Sequence, residues 1–163
     1  MSVRKFVPWP DKRLRTAVPE VSEITDDIHA IWADMVETMD AMPGVGLAAP
    51  QIGVMLQLAV VDATPDRSRR ILLANPVVLE ASPEANIYEE ASPNLPGVSA
   101  KITRPKAVTV RYLDENGMIT RKDFDGLEAT SVQHQIDHLQ GRMFFDNLGR
   151  VKRDMLLRKA RKV

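Results

Sequence analysis

QHQIDHLQG, residues 133–141, places two histidines four positions apart in a segment whose apolar residues follow helical spacing. Residues four apart on a helix share a face, so His134 and His138 can both reach one metal ion. Zinc hydrolases with an H-E-x-x-H helix have a glutamate after the first histidine, and this chain has Gln135 there. A glutamine amide cannot take the proton that such a glutamate removes from metal-bound water, although it can still hydrogen-bond a water.

The histidine spacing alone leaves three interpretations open. Two surface or packed histidines at this spacing are more common than a metal-binding pair. The three interpretations are the helix of a metal-dependent amidase, the helix of an amidase that has lost its catalytic activity, and a helix that has no metal site. Asp137, between the histidines, either orients a ligand or forms a salt bridge.

The composition is that of an ordinary globular protein. The 163 residues predict a single domain over residues 1–163, with 44% hydrophobic and 27% charged residues. A formal net charge of +0 gives no whole-molecule argument for binding DNA or a membrane. Without cysteine the chain has no disulfide, no thiolate ligand and no cysteine nucleophile. No apolar run has the length of a signal peptide or a membrane span, so a soluble cytoplasmic protein is expected.

The hydrophobic pattern predicts an α+β domain. Thr25 is a candidate N-cap for a helix that Pro43 and Gly44 end. Short apolar runs predict strands at residues 58–62, 71–78 and 107–113, and a hairpin turn at 115–117 leads into residues 118–124. A helical pattern then begins at about residue 127 and runs through the two histidines, and a second helical pattern covers residues 150–163. The apolar stripe of the first helix is interpreted as core packing, and its members are Ile28, Ile31, Trp32, Met35 and Met39.

Two further segments are weak signals when each is considered alone. GVGLAAPQ, residues 44–51, has two glycines that permit a tight turn and close backbone approach, but not the spacing of a phosphate-binding loop. EEASPNLPG, residues 89–97, has the composition of a surface loop.

In this order, the three segments resemble the motifs of the peptide deformylase family, metal hydrolases that remove the N-formyl group from nascent bacterial proteins. The family carries G-x-G-L-A-A-x-Q, then E-G-C-L-S, then H-E-x-D-H. Residues 44–51 match the first motif fully, while 90–94 and 134–138 stand where the others belong. The resemblance extends to PDKRLR, RPKAVTVRYLDENG and DHLQGRMFFDNL. It implies antiparallel sheets packed around a central helix that carries the histidines, N- and C-terminal helices, and one divalent metal ion, Zn or Fe.

The chain departs from the family pattern at the metal ligands. The resemblance assigns His134 and His138 as two ligands and places Ser92 where the family has its ligating cysteine. A serine hydroxyl is a much poorer ligand than a thiolate. We therefore expect the histidines to bind a metal ion weakly or not at all.

The chain also departs from the family at the groups that move the proton and stabilise charge. Gln135 stands where the family has its catalytic glutamate, and a general base contributes about 10²–10⁴ in rate. In the family the residue after the cysteine donates its backbone N–H to the oxyanion, together with the glutamine that is Gln51 here. That residue is Pro93, which has no N–H, and loss of one such donor costs about 10²–10³.

The resemblance further implies a pocket for the methionine side chain of the substrate. Thr130 and Ser131 stand in it and are more polar than suits methionine. The other positions that resemble this substrate-binding pocket are Val45, Gly46, Leu47, Glu90 and Leu127.

Three hypotheses about function follow. The favoured one is a deformylase-family protein that has lost, or nearly lost, deformylation. Four consecutive residues, 91–94, differ from the family pattern, which indicates natural divergence rather than one engineered change. The second is an enzyme in which Gln135 positions a metal-bound water, or Ser92 acts as a nucleophile with a nearby histidine.

The third hypothesis is a binding protein whose partner is the ribosome or an N-terminal methionine peptide, formylated or free. Residues 150–163 form a basic segment that contains one acidic residue, Asp154. A basic terminal helix is most often a solvated face, but the family includes members whose C-terminal helix docks at the ribosomal exit. The basic residues are Arg150, Lys152, Arg153, Arg158, Lys159, Arg161 and Lys162.

Overall fold

The histidine helix lies between a five-stranded antiparallel sheet and a long two-stranded hairpin, and it contacts both. The computed structural model describes residues 2–162, so Met1 and Val163, which belong to the predicted domain, lie outside the described residues. The elements are α1 (Asp26–Ala41), β1 (Gly46–Ala48), β2 (Leu58–Val61), β3 (Ile71–Ala81), β4 (Ala85–Ser92), β5 (Leu95–Pro105), β6 (Ala107–Leu113), β7 (Ile119–Asp125), α2 (Gly126–Leu139) and α3 (Arg150–Ala160).

The large sheet has the strand order β1-β2-β3-β6-β7, and every neighbouring pair is antiparallel. Helix α1 packs against β1 and β2, and α2 packs against both sheets. The predicted α+β class is confirmed. No helix within residues 2–162 has both the length and the apolar character that crossing a membrane would require.

Helix α1 begins where the sequence predicts it. The Thr25 hydroxyl accepts a hydrogen bond from the Ile28 N–H at 3.3 Å and so satisfies one of the free donors of the first turn. Trp32, Met35 and Met39 are at most 1% exposed, which confirms the interpretation of the stripe as core. Helix α1 thus packs on the edge of the sheet, where residues 44–51 contribute strand β1.

The interpretation of residues 89–97 as a surface loop is wrong. This segment is the tip of the β4–β5 hairpin, in which only Pro93 and Asn94 connect the strands. Glu90, Ser92 and Asn94 are at most 7% exposed. Burial of these polar side chains is tolerated because each has hydrogen-bond partners from other elements, and a composition-based interpretation has no access to those partners.

The end of α2 is fixed by a close backbone contact with the N-terminal segment. Gly141 has φ 77°, and a Cβ there would lie 2.7 Å from the Arg15 carbonyl carbon. A side chain at this position would therefore face both an unfavourable backbone conformation and a collision. Two residues before it, the Leu139 carbonyl accepts a hydrogen bond from the Val18 N–H at 3.0 Å. These contacts position the helix that carries the histidines.

Candidate active site

A cavity of about 480 Å³ opens between β1, the β4–β5 tip and α2. It brings together ten of the twelve residues that the sequence nominated, namely Val45, Gly46, Gln51, Glu90, Ser92, Leu127, Thr130, Ser131, His134 and Gln135. His138 and Leu47 are not among its lining residues. Leu47 is 0% exposed and packs in the core beside α1, because alternate residues of β1 face opposite sides of the strand. Its side chain therefore does not line the expected substrate pocket.

The two histidines converge through their Nε2 atoms, which lie 3.2 Å apart. His134 Nδ1 lies 2.8 Å from Glu90 Oε1, so its Nδ1–H donates to that carboxylate. In the neutral imidazole this leaves the lone pair on Nε2, the form that binds metal ions. Burial, the neighbouring His134 and Arg104 hold the pKa of His138 well below its ordinary value of 6.5, so His138 is neutral at neutral pH.

A buried charge network fixes the orientation of His134. The Arg104 guanidinium donates to Glu90 from Nε at 2.7 Å and from Nη2 at 3.0 Å. It also donates to Asp137 Oδ2 at 2.9 Å. Burial alone would raise the pKa of Glu90, but hydrogen bonds from His134 and Arg104 outweigh burial and hold that pKa below its ordinary value. Glu90 is therefore a carboxylate, and Asp137 forms a salt bridge rather than orienting a metal ligand directly.

A second buried network joins Ser92, Gln51 and Asn94. The Ser92 hydroxyl donates to Asn94 Oδ1 at 3.0 Å. The Gln51 amide nitrogen donates to Asn94 Oδ1 at 2.8 Å and to Ser92 Oγ at 3.4 Å. The Asn94 amide nitrogen in turn donates to the carbonyls of Gln51 at 3.0 Å and Val7 at 2.6 Å. The Gln51 amide nitrogen thus faces two acceptors of the protein itself.

Gln135 packs directly against the backbone of β1. A Cβ on Gly46 would lie 2.5 Å from Gln135 Nε2 and closer still to Ser131 Oγ, so a side chain there would displace both groups. The Ser131 hydroxyl donates to the Val45 carbonyl at 2.9 Å and accepts from Gln135 Nε2 at 3.5 Å. The buried Gln135 Oε1 has no hydrogen-bond partner within residues 2–162.

The side chains present match a divalent metal ion at two positions and not at the third. Two nitrogen ligands of tetrahedral zinc lie roughly 3.3 Å apart, which agrees with the histidine pair. A third ligand is missing, because the Ser92 hydroxyl is hydrogen-bonded to Asn94. The Nδ1 atom of His138 also lacks the hydrogen-bond partner that usually orients a metal-binding histidine. Among the described residues, no group of three or more His, Cys, Asp or Glu side chains is placed to hold a metal ion. The donors therefore do not match a three-ligand zinc or iron centre.

The roles of Arg104 and Asn94 were not evident from the sequence. Arg104 is 5% exposed and Asn94 is 2% exposed, and each bridges residues that are distant along the chain. The available signal for Arg104 was the place of Glu90 in the pocket that the resemblance implies, because a carboxylate buried there requires a cationic partner. Asn94 had no such signal, because an asparagine after proline is also typical of an exposed turn.

An α+β scaffold with two converging helical histidines, one of which lines a cavity, resembles the class of metallohydrolase folds. The family model described as polypeptide deformylase matches residues 3–154. The chain is 41% identical over 166 residues to a peptide deformylase of Rhodopseudomonas palustris (strain TIE-1), covering 99% of this chain and 95% of the relative. The chain belongs to the peptide deformylase family.

Two solved structures support the same assignment. The crystal structure of the peptide deformylase from Ehrlichia chaffeensis in complex with actinonin superposes with a TM-score of 0.92 at 35% identity, covering 99% of this chain and 98% of that one. The peptide deformylase from Legionella pneumophila gives a TM-score of 0.91 at 38% identity, covering 98% and 94%. The deformylase fold that the motifs predict is confirmed.

Proposed function

We propose that this protein binds peptide N-termini in its cleft but has lost, or nearly lost, the hydrolysis of the N-formyl bond. The observation that carries the proposal is the hydrogen-bonding of Ser92. At the position that resembles the family's ligating cysteine, its hydroxyl gives its proton to Asn94 and accepts from Gln51. A hydroxyl held in this way presents neither a thiolate nor an ionised oxygen to a metal ion.

The groups around Ser92 support the same proposal. Gln135 carries no charge at neutral pH and cannot serve as the general base. Pro93 offers no backbone N–H, and the Gln51 amide already donates to Asn94 and Ser92. A developing oxyanion at this end of the cavity would thus lack both of the donors that the resemblance implies.

The alternative of a serine nucleophile gains no support from the hydrogen-bond pattern. A serine nucleophile needs a base within hydrogen-bond reach of its hydroxyl. Within residues 2–162, the side-chain partners of Ser92 Oγ are Asn94 and Gln51, and neither histidine is among them. An amide hydrolase with a different mechanism would need another route to activate water.

Metal content tests the proposal directly. We expect the purified protein, dialysed against metal-free buffer, to hold far less than one equivalent of zinc or iron. The Ser92→Cys variant restores a thiolate beside two converging nitrogens, so it should retain about one equivalent. Elemental analysis by mass spectrometry measures both.

The matched control for this test is Ser99→Cys, which adds a thiol at an exposed position of β5 outside the cavity. It should bind no more metal than the unmodified chain. Near-stoichiometric metal in the unmodified protein would contradict the proposal and would make Ser92 a ligand.

Helix α3 supports a second, compatible role in docking to the ribosome. In the part of the chain that the structure describes, none of its basic side chains forms an ion pair. Leu156 is its one buried residue, while Val151 is 72% and Met155 62% exposed. A basic face with two exposed apolar side chains suits a surface of RNA phosphates and protein.

Co-sedimentation with ribosomes tests this role. We expect binding at low salt that weakens by orders of magnitude between about 50 and 200 mM salt, because phosphate contacts release counterions. A Lys152→Gln, Lys159→Gln double variant should bind more weakly and with a smaller salt slope. The control variant Lys5→Gln, Lys101→Gln removes two exposed charges elsewhere and should behave as the unmodified chain does. Equal loss in both double variants would show general charge attraction rather than docking through α3.

A further inference from the structure

We infer that the cleft prefers peptides with a free, protonated α-amino group to N-formylated peptides. The inference deepens the proposed function and rests on it, since it assumes that the cavity holds a peptide N-terminus and no tightly bound metal ion. It would make the protein a reader of N-termini that have already been deformylated. Three features of the cavity lead to this inference. Several of its hydrogen-bond donors are bonded within the protein, one buried acceptor has no donor, and the charged groups that line it are carboxylates.

Three side-chain hydrogen-bond donors of the cavity, those of Gln51, Ser92 and Ser131, are directed at acceptors of the protein itself. The Gln51 amide nitrogen donates to Asn94 at 2.8 Å and lies 3.4 Å from Ser92 Oγ. The hydroxyls of Ser92 and Ser131 donate to Asn94 and to the Val45 carbonyl. Three further lining residues, Pro43, Pro93 and Pro96, have no backbone N–H. A formyl oxygen would lose its bonds to water on entry, and these three side chains already direct hydrogens to other acceptors.

One acceptor of the cavity lacks a donor. Ser131 gives its only hydroxyl hydrogen to the Val45 carbonyl and faces the Gln135 amide nitrogen at 3.5 Å. In this orientation Gln135 Oε1 is a buried acceptor without a partner within the described residues. The terminal torsion of a glutamine is soft, so a small rotation turns this oxygen toward a ligand N–H. An ammonium group supplies three such hydrogens.

The charged groups that line the cavity favour a cation. Glu89 and Glu90 contribute carboxylates, and no lysine or arginine lines the cavity within the described part of the chain. Arg104 neutralises part of the Glu90 charge from behind. The buried Thr130 hydroxyl, which also has no partner within residues 2–162, can donate or accept and so favours neither ligand. Formylation removes the positive charge, leaves a single N–H and adds an oxygen that requires a donor.

Calorimetric titration with three matched peptides tests the inference. The probes are Met-Ala-Ser with a free N-terminus, its N-formyl form, and its N-acetyl form, all at pH 6.5, where the α-amino group is protonated. We expect the free peptide to bind at least about tenfold more tightly than either capped form, as suits a charged hydrogen bond in a buried site. The Gln135→Met variant should reduce this preference to less than about threefold, because it removes the acceptor while keeping the side-chain length.

Gln140→Met is the matched control, because Gln140 follows the same helix, is exposed and lies outside the cavity. It should keep the full preference for the free peptide. Equal or tighter binding of the formylated peptide to the unmodified chain would overturn the inference and leave peptide binding intact. Failure of all three peptides to bind would instead overturn the proposed peptide binding, and the inference with it. A preference that Gln135→Met leaves unchanged would show that Gln135 Oε1 is not the acceptor and would also overturn the inference.

Discussion

Replacing Arg104 with methionine is expected to lower the free energy of unfolding by about 3–5 kcal/mol. The guanidinium holds two carboxylates, Glu90 at 2.7 Å and Asp137 at 2.9 Å, with only 6% of its own side chain exposed. Its removal leaves Glu90 buried and charged without its main partner, and the cost of an uncompensated buried charge exceeds the worth of the pair itself. Urea denaturation followed by circular dichroism measures the change.

Two companion variants separate the charge effect from packing. Arg121→Met removes an arginine whose pair with Glu80 is 61% and 69% exposed, and it should change stability by less than about 1 kcal/mol. Adding Glu90→Gln and Asp137→Asn to Arg104→Met removes the stranded charges and should recover a large part of the loss. An Arg104→Met protein as stable as the unmodified one would show that the network contributes little and that Glu90 is rehydrated when its partner is lost.

The motifs and the terminal signals of the elements could be predicted from the sequence because their physics is local. Thr25 caps α1 through a hydrogen bond to a residue only three positions away, and the apolar stripe of that helix depends on residue spacing alone. The histidines converge because residues four apart share a helix face. In each case the deciding interaction lies within one helix or strand, and the three motifs follow one another in the order that the family has.

The polar networks behind the site could not be predicted in this way. Asn94 bonds to the Val7 carbonyl across 87 residues, and Arg104 reaches Asp137 across 33. Residues 89–97 have the composition of a loop, but their burial depends on these distant partners. Gln51 likewise reaches Ser92 across 41 residues, so the sequence could align Ser92 with the family's ligating cysteine without revealing this contact.

Restoring three residues together is expected to raise hydrolysis of formyl-Met-Ala-Ser by at least about 10⁴-fold over the unmodified chain. The changes are Ser92→Cys, Pro93→Leu and Gln135→Glu. They return a thiolate, a backbone N–H and a carboxylate to positions that already line the cavity beside His134. Release of formate, measured with zinc or iron supplied to every variant, gives the rate. Each single change should gain far less than the triple variant, because parts of one catalytic machine act together.

Two further variants identify which groups still limit the rate of formate release. A variant with Gln140→Glu in place of Gln135→Glu carries the same charge just after the same helix and outside the cavity, and it should stay near the rate of the unmodified chain. Adding Asn94→Ser to the triple variant removes the acceptor that holds the Gln51 amide at 2.8 Å, so the rate should rise further while stability falls. A folded, metal-loaded triple variant at background rate would mean that the sequestered Gln51, rather than the missing thiolate and carboxylate, is the main barrier. Rapid formate release by the unmodified chain would instead overturn the proposed loss of hydrolysis.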